Sequence, residues 1–266
     1  LKVLVIGAGR QGKRWLGVLS LYGNNTPIII DPAVEIQGYD CYPSIFEAAH
    51  IKPDCVIVSS PPSDHFSSAS YYLERSCPVL LEKPLIMDYQ KLRELQNIAH
   101  SNRTMLFGGY TLRHHPAYPI VTKYRRSGLI KHISMIRMVN NPPKEEGPYW
   151  HLASHDIDIA LAMGLNRNQI LNDIDFAFAY SRKRKTEIRV SYWDSSELVW
   201  EPPYLTRVRT DGTKNVTLYE SANPMLEEFK AFVDLISAPH RYPYYHRDIQ
   251  IEYITDQMNR KYGSNL

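Results

Sequence analysis

Lys2-Val3-Leu4-Val5-Ile6, running into Gly7-Ala8-Gly9-Arg10-Gln11-Gly12, is the stretch from which the fold can be read. The first five residues predict a strand, and Arg10 to about Leu21 predicts a helix, so the G-x-G-x-x-G element falls on the turn between them. In that context the motif is a dinucleotide signature; alone it says little. Each glycine has its own task. Gly7 permits the tight turn, Gly9 lets the backbone approach a pyrophosphate, and Gly12 allows the helix to pack closely on the strand. The helix N-terminus, with Arg10 and Gln11 in its first turn, offers unpaired N–H groups and a partial positive charge to phosphates.

A second apolar strand, Pro27-Ile28-Ile29-Ile30, ends in Asp31, 24 positions after Gly7. That spacing suits a carboxylate that accepts from a ribose 2′-hydroxyl and repels a 2′-phosphate. NAD(H) is therefore favoured over NADP(H), although Lys13 and Arg14 leave room for the latter. The competing reading is a glycine turn in an unrelated α/β domain, with Asp31 as a cap or a solvated charge.

Outward from this element, apolar strands alternate with helices to about Gly109, the pattern of a parallel sheet wrapped by helices. Strands are expected at 2–6, 27–30, 39–42, 54–59, 78–81 and 104–109, and helices at about 10–21, 44–50, 63–76 and 88–101. Asp88 is a suitable N-cap for the last helix, whose Leu92, Leu95 and Ile98 form an apolar stripe. Beyond Gly109 the character changes. A helix from Pro116 to Gly128, a strand at 132–139, a Pro-rich loop from Asn140 to Pro148 and a helix from His151 to Met163 are expected. Strands near 173–180, 186–193, 197–201, 204–210 and 214–220 follow, then helices at 224–237 and 247–261. Successive strands imply hairpins and an open, mostly antiparallel sheet. The fold class is thus α/β, a doubly wound Rossmann domain at 1–112 followed by an α+β domain at 113–266.

The chain has 266 residues, enough for one large or two modest domains, and a formal net charge of +3. Its one dense basic run, Arg182-Lys183-Arg184-Lys185, reads as a solvated hairpin turn because apolar-rich segments flank it, and no aromatic interleaving or nucleic-acid motif accompanies it. Cys41, Cys55 and Cys77 are odd in number and lack C-x-x-C spacing, which argues against a disulfide framework or zinc site and favours a reducing, cytoplasmic compartment. No apolar run reaches the length of a membrane span, and the first residues read as strand rather than as a signal segment.

Three further motifs fall where an open α/β sheet exposes its ligand crevice, beyond the carboxyl ends of its strands. Ser59-Ser60-Pro61-Pro62-Ser63-Asp64-His65 follows the strand at 54–59, and Ser63 could simply cap the next helix. Glu82-Lys83-Pro84 follows the strand at 78–81. A lysine there can stabilise the alkoxide-like oxygen that develops as hydride leaves, and an X-Pro bond is the one peptide bond that is cis at low cost. His151-Leu152-Ala153-Ser154-His155-Asp156-Ile157-Asp158, if one helix, sets His151, His155 and Asp158 on neighbouring parts of a face. Imidazole titrates near neutrality, so His155 is a credible general base. The same spacing suits a zinc pair or a structural pair of histidines, but Leu152 stands where a metalloprotease has its glutamate.

Taken together, these motifs resemble the glucose–fructose oxidoreductase, inositol dehydrogenase and MocA family. The elements that carry the resemblance are Gly7 to Gly12, Asp31, Pro61-Pro62-Ser63-Asp64-His65, Glu82-Lys83-Pro84, Gly109 to Tyr118 and Ser154 to Asp158, in the family's order. The resemblance implies an N-terminal NAD(P)-binding Rossmann domain and a C-terminal open-sheet domain for substrate and oligomerisation. It implies Lys83 as catalytic lysine before a cis Pro84, Glu82 near the nicotinamide ribose, His155 as the proton-exchanging histidine and Arg113 near cofactor or substrate. Ser60, Pro61, Pro62 and His65 join the implied cofactor contacts. His151 stands where the family often has aspartate, so the usual trio becomes Lys83, His151 and His155.

The expected activity is NAD(H)-dependent oxidation of a secondary alcohol, or reduction of the ketone, on a sugar, inositol or related polyol. Two rivals are a nucleotide-binding regulator with little catalysis, suggested by His151, and a reductase of planar non-sugar substrates stacked on Tyr110, Tyr149 or Trp150. The expected partner is a small-molecule substrate, with neither nucleic acid nor membrane, and the uncovered sheet face implies a homodimer or homotetramer.

Overall fold

The structure is a computed structural model, and it describes residues 1–123, 130–139, 148–180, 185–192, 194–219 and 222–262. The first unit alternates β1 (Lys2–Ile6), α1 (Arg10–Tyr22), β2 (Thr26–Ile30), β3 (Asp40–Tyr42), β4 (Cys55–Val58), α2 (Pro62–Leu73), β5 (Val79–Glu82), α3 (Tyr89–Ser101) and β6 (Leu106–Gly109). Its six strands pair in parallel in the order β3-β2-β1-β4-β5-β6. This is the doubly wound order whose direction reverses between β1 and β4, which puts the ends of those strands at the ligand-binding crevice of such sheets. Every residue of β4, β5 and β6 is buried, as expected for strands covered on both faces. Asp88 caps α3, its Oδ1 accepting from the amides of Gln90 and Lys91.

The helix expected at 44–50 does not form; these residues make successive turns. Only Ala48 is fully buried there, and Phe46 is 84% exposed, so no apolar face exists to hold a helix against the sheet.

After a short 3-10 helix (Thr111–His114), the second unit contains α4 (Tyr118–Lys123), β7 (Ile130–Val139), α5 (Pro148–Leu152), α6 (Ser154–Ala162), α7 (Arg167–Asn172), β8 (Ile174–Tyr180), β9 (Lys185–Tyr192), β10 (Glu197–Glu201), β11 (Tyr204–Val208) and β12 (Lys214–Leu218). The sheet order is β12-β11-β10-β9-β7-β8, antiparallel except for the β7–β8 pair. Register aligns Ile133 with Val190 and Leu198, and Met135 with Ile188 and Trp200, so one face carries a continuous buried apolar stripe. Ion pairs between Arg189, Glu187 and Glu197 run across β9 and β10.

The hairpin expected around the basic run is not present. β8 and β9 flank that run but do not pair, because β7 lies between them. β8 joins β7 in parallel after the crossover through α5, α6 and α7, which leaves only the other edge of β7 for the returning β9. Residues 182–184, the Pro-rich loop and Gly128 lie outside the described residues.

The closing elements are α8 (Pro224–Ile236), a 3-10 turn (Pro239–Arg241) and α9 (Tyr245–Tyr262). They divide the chain differently from the expected 1–112 and 113–266. The compact units are Leu1–Thr111 with Met225–Glu252, and Leu112–Pro224 with Tyr253–Leu266. The reason is packing: Phe229 and Phe232 of α8 and Tyr242 are buried in the core of the first unit with Trp15, Leu19, Ile57 and Phe107. Each such aromatic ring contributes about 1.5–3 kcal/mol through its burial, and α8 presents them on one face, so it follows that core and not its neighbours in sequence.

Candidate active site

Each element of the glycine turn has a visible physical reason. Gly7 sits at φ +87°, and a Cβ there would lie 2.5 Å from the Ser60 amide nitrogen. A Cβ on Gly12 would overlap the Gly7 carbonyl oxygen, so α1 can approach β1 only without one. On Gly9 the same atom would meet nothing within 4 Å. The open side of the turn is therefore at Gly9, which is also the N-cap of α1, with no capping side chain and no acidic residue in the first turn. That cradle fits a pyrophosphate, held by the helix N-terminus. Ser59, the first residue of the Ser59–His65 motif and assigned no role from sequence, closes the turn from behind by donating to the carbonyls of Gly7 (2.9 Å) and Ile6 (3.2 Å).

Asp31 is half-buried at the end of β2. Its Oδ2 accepts from the amide of Ala8 at 2.7 Å and its Oδ1 from that of Ala33 at 2.9 Å. The carboxylate thus braces the glycine turn, and each oxygen retains a lone pair for a ribose hydroxyl.

Several candidate cofactor residues have structural tasks. Glu82, expected at a ribose, is buried, and its Oε1 accepts from Gln11 Nε2 and Trp15 Nε1, both at 2.7 Å. Burial raises its pKa, and the hydrogen bonds from Gln11 and Trp15, with Lys83 beside it, oppose that rise. It ties α1 to the end of β5. His65 is buried, with Nδ1 3.1 and 3.0 Å from the carbonyl oxygens of Pro84 and Leu85 and Nε2 2.9 Å from that of Ser60. It links the β4 and β5 loops from the inside. Pro61 and Pro62 start α2, and Ser60 Oγ is buried without a hydrogen-bond partner among the described residues. Arg10 is exposed.

Lys83 is half-buried immediately after β5, and the Lys83–Pro84 bond is cis. Behind it stands a residue that the sequence reading missed, Glu252 of α9. Its Oε1 accepts from the Leu85 amide at 3.0 Å and the Tyr110 hydroxyl at 2.9 Å. Burial pushes this carboxyl up to about 8, against the pull of those hydrogen bonds and of Lys83. The signal was available: Asp248 and Glu252 share a helical face with the buried Ile251 and Thr255, an unusual place for carboxylates.

In the second unit, the helix expected from His151 to Met163 is two helices, α5 and α6, separated at Ala153. The His-x-x-x-His segment is therefore not one regular face. His155 is half-buried in the first turn of α6; the side chain of His151 lies outside the described residues. Asp158 faces elsewhere, its Oδ1 accepting from Arg113 Nε and Nη2 at 3.0 and 2.8 Å and its Oδ2 from the Tyr118 hydroxyl at 2.8 Å. Arg113, expected near cofactor or substrate, has its charge balanced within this buried pair. A parallel pair joins Arg137 and the buried Asp156, whose pKa burial raises. Asp158→Asn keeps the shape but removes the buried charge that faces Arg113, which will lower the unfolding free energy by about 3–5 kcal/mol in urea titration. A loss under about 1 kcal/mol would mean that Arg113 does not depend on this partner.

Of the aromatic residues considered for stacking, Tyr110 is fully buried with its hydroxyl on Glu252, and Trp150 is 5% exposed. Tyr149 meets Phe178 edge-on and lines a cleft of about 350 Å³ with Leu171, Ile174, Asp175, Phe176 and Met258.

Residues 1–110 match the sequence model of the oxidoreductase family with an NAD-binding Rossmann fold, GFO_IDH_MocA. None of the curated proteins matches the chain in sequence. Among solved structures, UDP-N-acetylglucosamine 3-dehydrogenase GnnA from Acidithiobacillus ferrooxidans superposes with a TM-score of 0.79 at 17% identity, over 97% of this chain and 96% of that one. KijD10, a 3-ketoreductase from Actinomadura kijaniata in complex with NADP and TDP-benzene, gives 0.82 at 15% identity over 98% and 97%. A myo-inositol dehydrogenase from Corynebacterium glutamicum gives 0.70 at 15% identity over 96% and 94%. The likeness to these structures is one of fold. Among the described residues no helix is long and apolar enough to cross a membrane.

Proposed function

We propose, from the match of residues 1–110 to the Gfo/Idh/MocA oxidoreductase model, that the chain transfers hydride between NAD(H) and a secondary alcohol or ketone of a sugar, inositol or related polyol. The observation that carries this reading is Lys83, placed at the end of β5 on the same parallel sheet as the glycine cradle at the end of β1. A bound nicotinamide dinucleotide supplies the hydride acceptor or donor. The chain's own residues do the rest. The helix N-terminus at Gly9 to Gly12 holds phosphate, Asp31 accepts from ribose, and Lys83 donates a hydrogen bond to the substrate oxygen as its charge develops. His155 takes up or returns the hydroxyl proton, a role that follows from the family resemblance. The UDP-N-acetylglucosamine and myo-inositol of two structural neighbours, and the TDP ligand bound to a third, support the polyol class. Turnover of NAD(H) across a panel of polyols, aldoses and nucleotide sugars tests the reading, and nucleotide binding without turnover of any of them would favour a regulator instead.

Association through the second sheet, as a homodimer or homotetramer, belongs to the same reading. Tyr204, Val216 and Leu218 expose apolar surface on its edge strand β12 and the neighbouring β11.

Preference for NAD(H) over NADP(H) rests on the Asp31 charge. Asp31→Ala will weaken NADH binding at least tenfold relative to NADPH, in line with the 1.5–3 kcal/mol, roughly, of a hydrogen bond to a charged group. Titration of the nicotinamide fluorescence measures it. Equal weakening of both cofactors would mean that Asp31 acts only by bracing the Ala8 amide.

A further inference from the structure

Arg103 ends α3 in an unusual conformation. Its backbone sits at φ +53°, in the left-handed region where glycine is the usual helix terminator. The helix end is closed in the ordinary way, the amides of Arg103 and Thr104 donating to the carbonyls of His100 (3.1 Å) and Ala99 (2.9 Å). A glycine would close it at lower cost, so the turn does not account for the arginine.

Arg103 lines a cavity of about 750 Å³ in the first unit, bounded by the end of α3, the 3-10 turn (Pro239–Arg241) and the first turn of α9. That is the size of a small-molecule site. His100, His240 and His246 line it too, and none of its lining residues is acidic. Among the described residues the Arg103 guanidinium takes no hydrogen bond or ion pair, and no three side chains are placed to share a metal ion. The histidines therefore act as separate donors.

Two further features point to an anion. α9, 18 residues long, begins at Tyr245 and His246 in the cavity wall, and the first amides of a helix have no partner within it. Asp248, the carboxylate of that turn, is buried and engaged by the Tyr242 hydroxyl at 2.8 Å. Thr104, only 5% exposed, lines the same cavity, and its Oγ1 is buried with no hydrogen-bond partner among the described residues. An unmatched buried hydroxyl costs free energy that an accepting oxyanion would return. Arg103 and Thr104 precede β6, so the cavity is at the amino end of the parallel sheet, whereas the glycine cradle follows the carboxyl end of β1. It is separate from the dinucleotide crevice.

We propose that this cavity is a second binding site, for a small phosphate monoester carried on a ring, with Arg103, the Thr104 hydroxyl and the first turn of α9 on the phosphate and Tyr245 beside the ring. Guanidinium, hydroxyl and helix amides together match the three terminal oxygens of a phosphate monoester better than the two of a carboxylate. The Tyr245 ring supplies apolar surface that inorganic phosphate does not use. Sugar phosphates and nucleoside monophosphates share this chemistry.

The whole protein, labelled with ¹³C-histidine and free of dinucleotide, is titrated with glucose 6-phosphate, AMP and inorganic phosphate and read by NMR. His100→Gln, His240→Gln and His246→Gln assign the three signals. These will move together with at least one ester, at concentrations about tenfold or more below those at which inorganic phosphate moves them, while His50, beside the opposite sheet edge, stays in place. The tighter ester identifies the ring. Arg103→Gly, which relaxes the backbone, and Thr104→Val, which removes the unmatched hydroxyl, will keep wild-type stability in urea and weaken binding about tenfold or more. Signals unmoved by both esters, an equal response to inorganic phosphate (an adventitious ion only), or wild-type affinity in either variant each overturns the proposal. Should neither variant fold, the three histidine signals decide alone. No dinucleotide is present, so a failure here leaves the proposed hydride transfer standing, and a failed substrate panel leaves this site standing.

Discussion

Lys83→Ala will lower kcat/KM by at least about 10²–10³-fold while NADH binds with nearly wild-type affinity. The size follows from removing one preorganised donor aimed at a developing oxyanion. The separation of the two effects follows from the fold, since the phosphate cradle is built from Gly7, Gly9 and Gly12 with Ser59 and Asp31, none of which depends on the Lys83 side chain. Lys83→Arg will not restore turnover, because a guanidinium places its charge and donors differently from an ammonium. Stopped-flow measurement of NADH formation, beside a fluorescence titration of NADH, separates chemistry from binding. Turnover retained by Lys83→Ala would remove the lysine from the mechanism and with it the main support for the proposed reaction.

The second large effect is a fall of stability with rising pH. Glu252 has its folded-state pKa raised from 4.5 to about 8, so between those values the folded protein binds more protons than the unfolded chain. Its contribution is fully present below pH 4.5 and is lost as the pH rises through 8, a difference of about 5 kcal/mol over the whole window. Burial raises Glu82 and Asp156 in the same direction. Urea unfolding at intervals from pH 5 to 9 will therefore show wild-type stability declining, and Glu252→Gln, isosteric and uncharged, will decline much less. Parallel curves for the two proteins would show that Glu252 is ionised in the folded state throughout. Its Oε2 would then have found a counter-charge.

The local elements of the Rossmann unit were legible because their signals are local. A strand, three glycines and a carboxylate at fixed spacing specify a turn that few other backbones can make, and the structure realises each glycine for a steric reason. Asp88 likewise signalled its helix through an N-cap that needs only its own next residues. Where the reading failed, the deciding contacts were distant. Residues 44–50 had helical composition but no surface to pack on. The basic run was given a hairpin because the strands around it are consecutive, yet a crossover through α5, α6 and α7 had already placed β7 between them. The α7 helix was missed although Asn166 and Gln169 form a capping box that can be read directly.

The same division runs through the candidate site. Sequence by itself determined the local elements on which the proposed chemistry rests: a glycine turn, a strand-end carboxylate, a strand-end lysine before proline and a histidine on a helix, each defined by residues close together in the chain. Only the tertiary structure decided which partners the buried side chains take within the chain. Glu82 turns onto Trp15 and Gln11, His65 onto carbonyls, Arg113 onto Asp158, and Glu252 crosses 167 positions to the Lys83 loop. The physical reason is that a buried polar group must find its partner wherever packing brings one, and packing is set by apolar faces such as that of α8, whose destination no local pattern reveals.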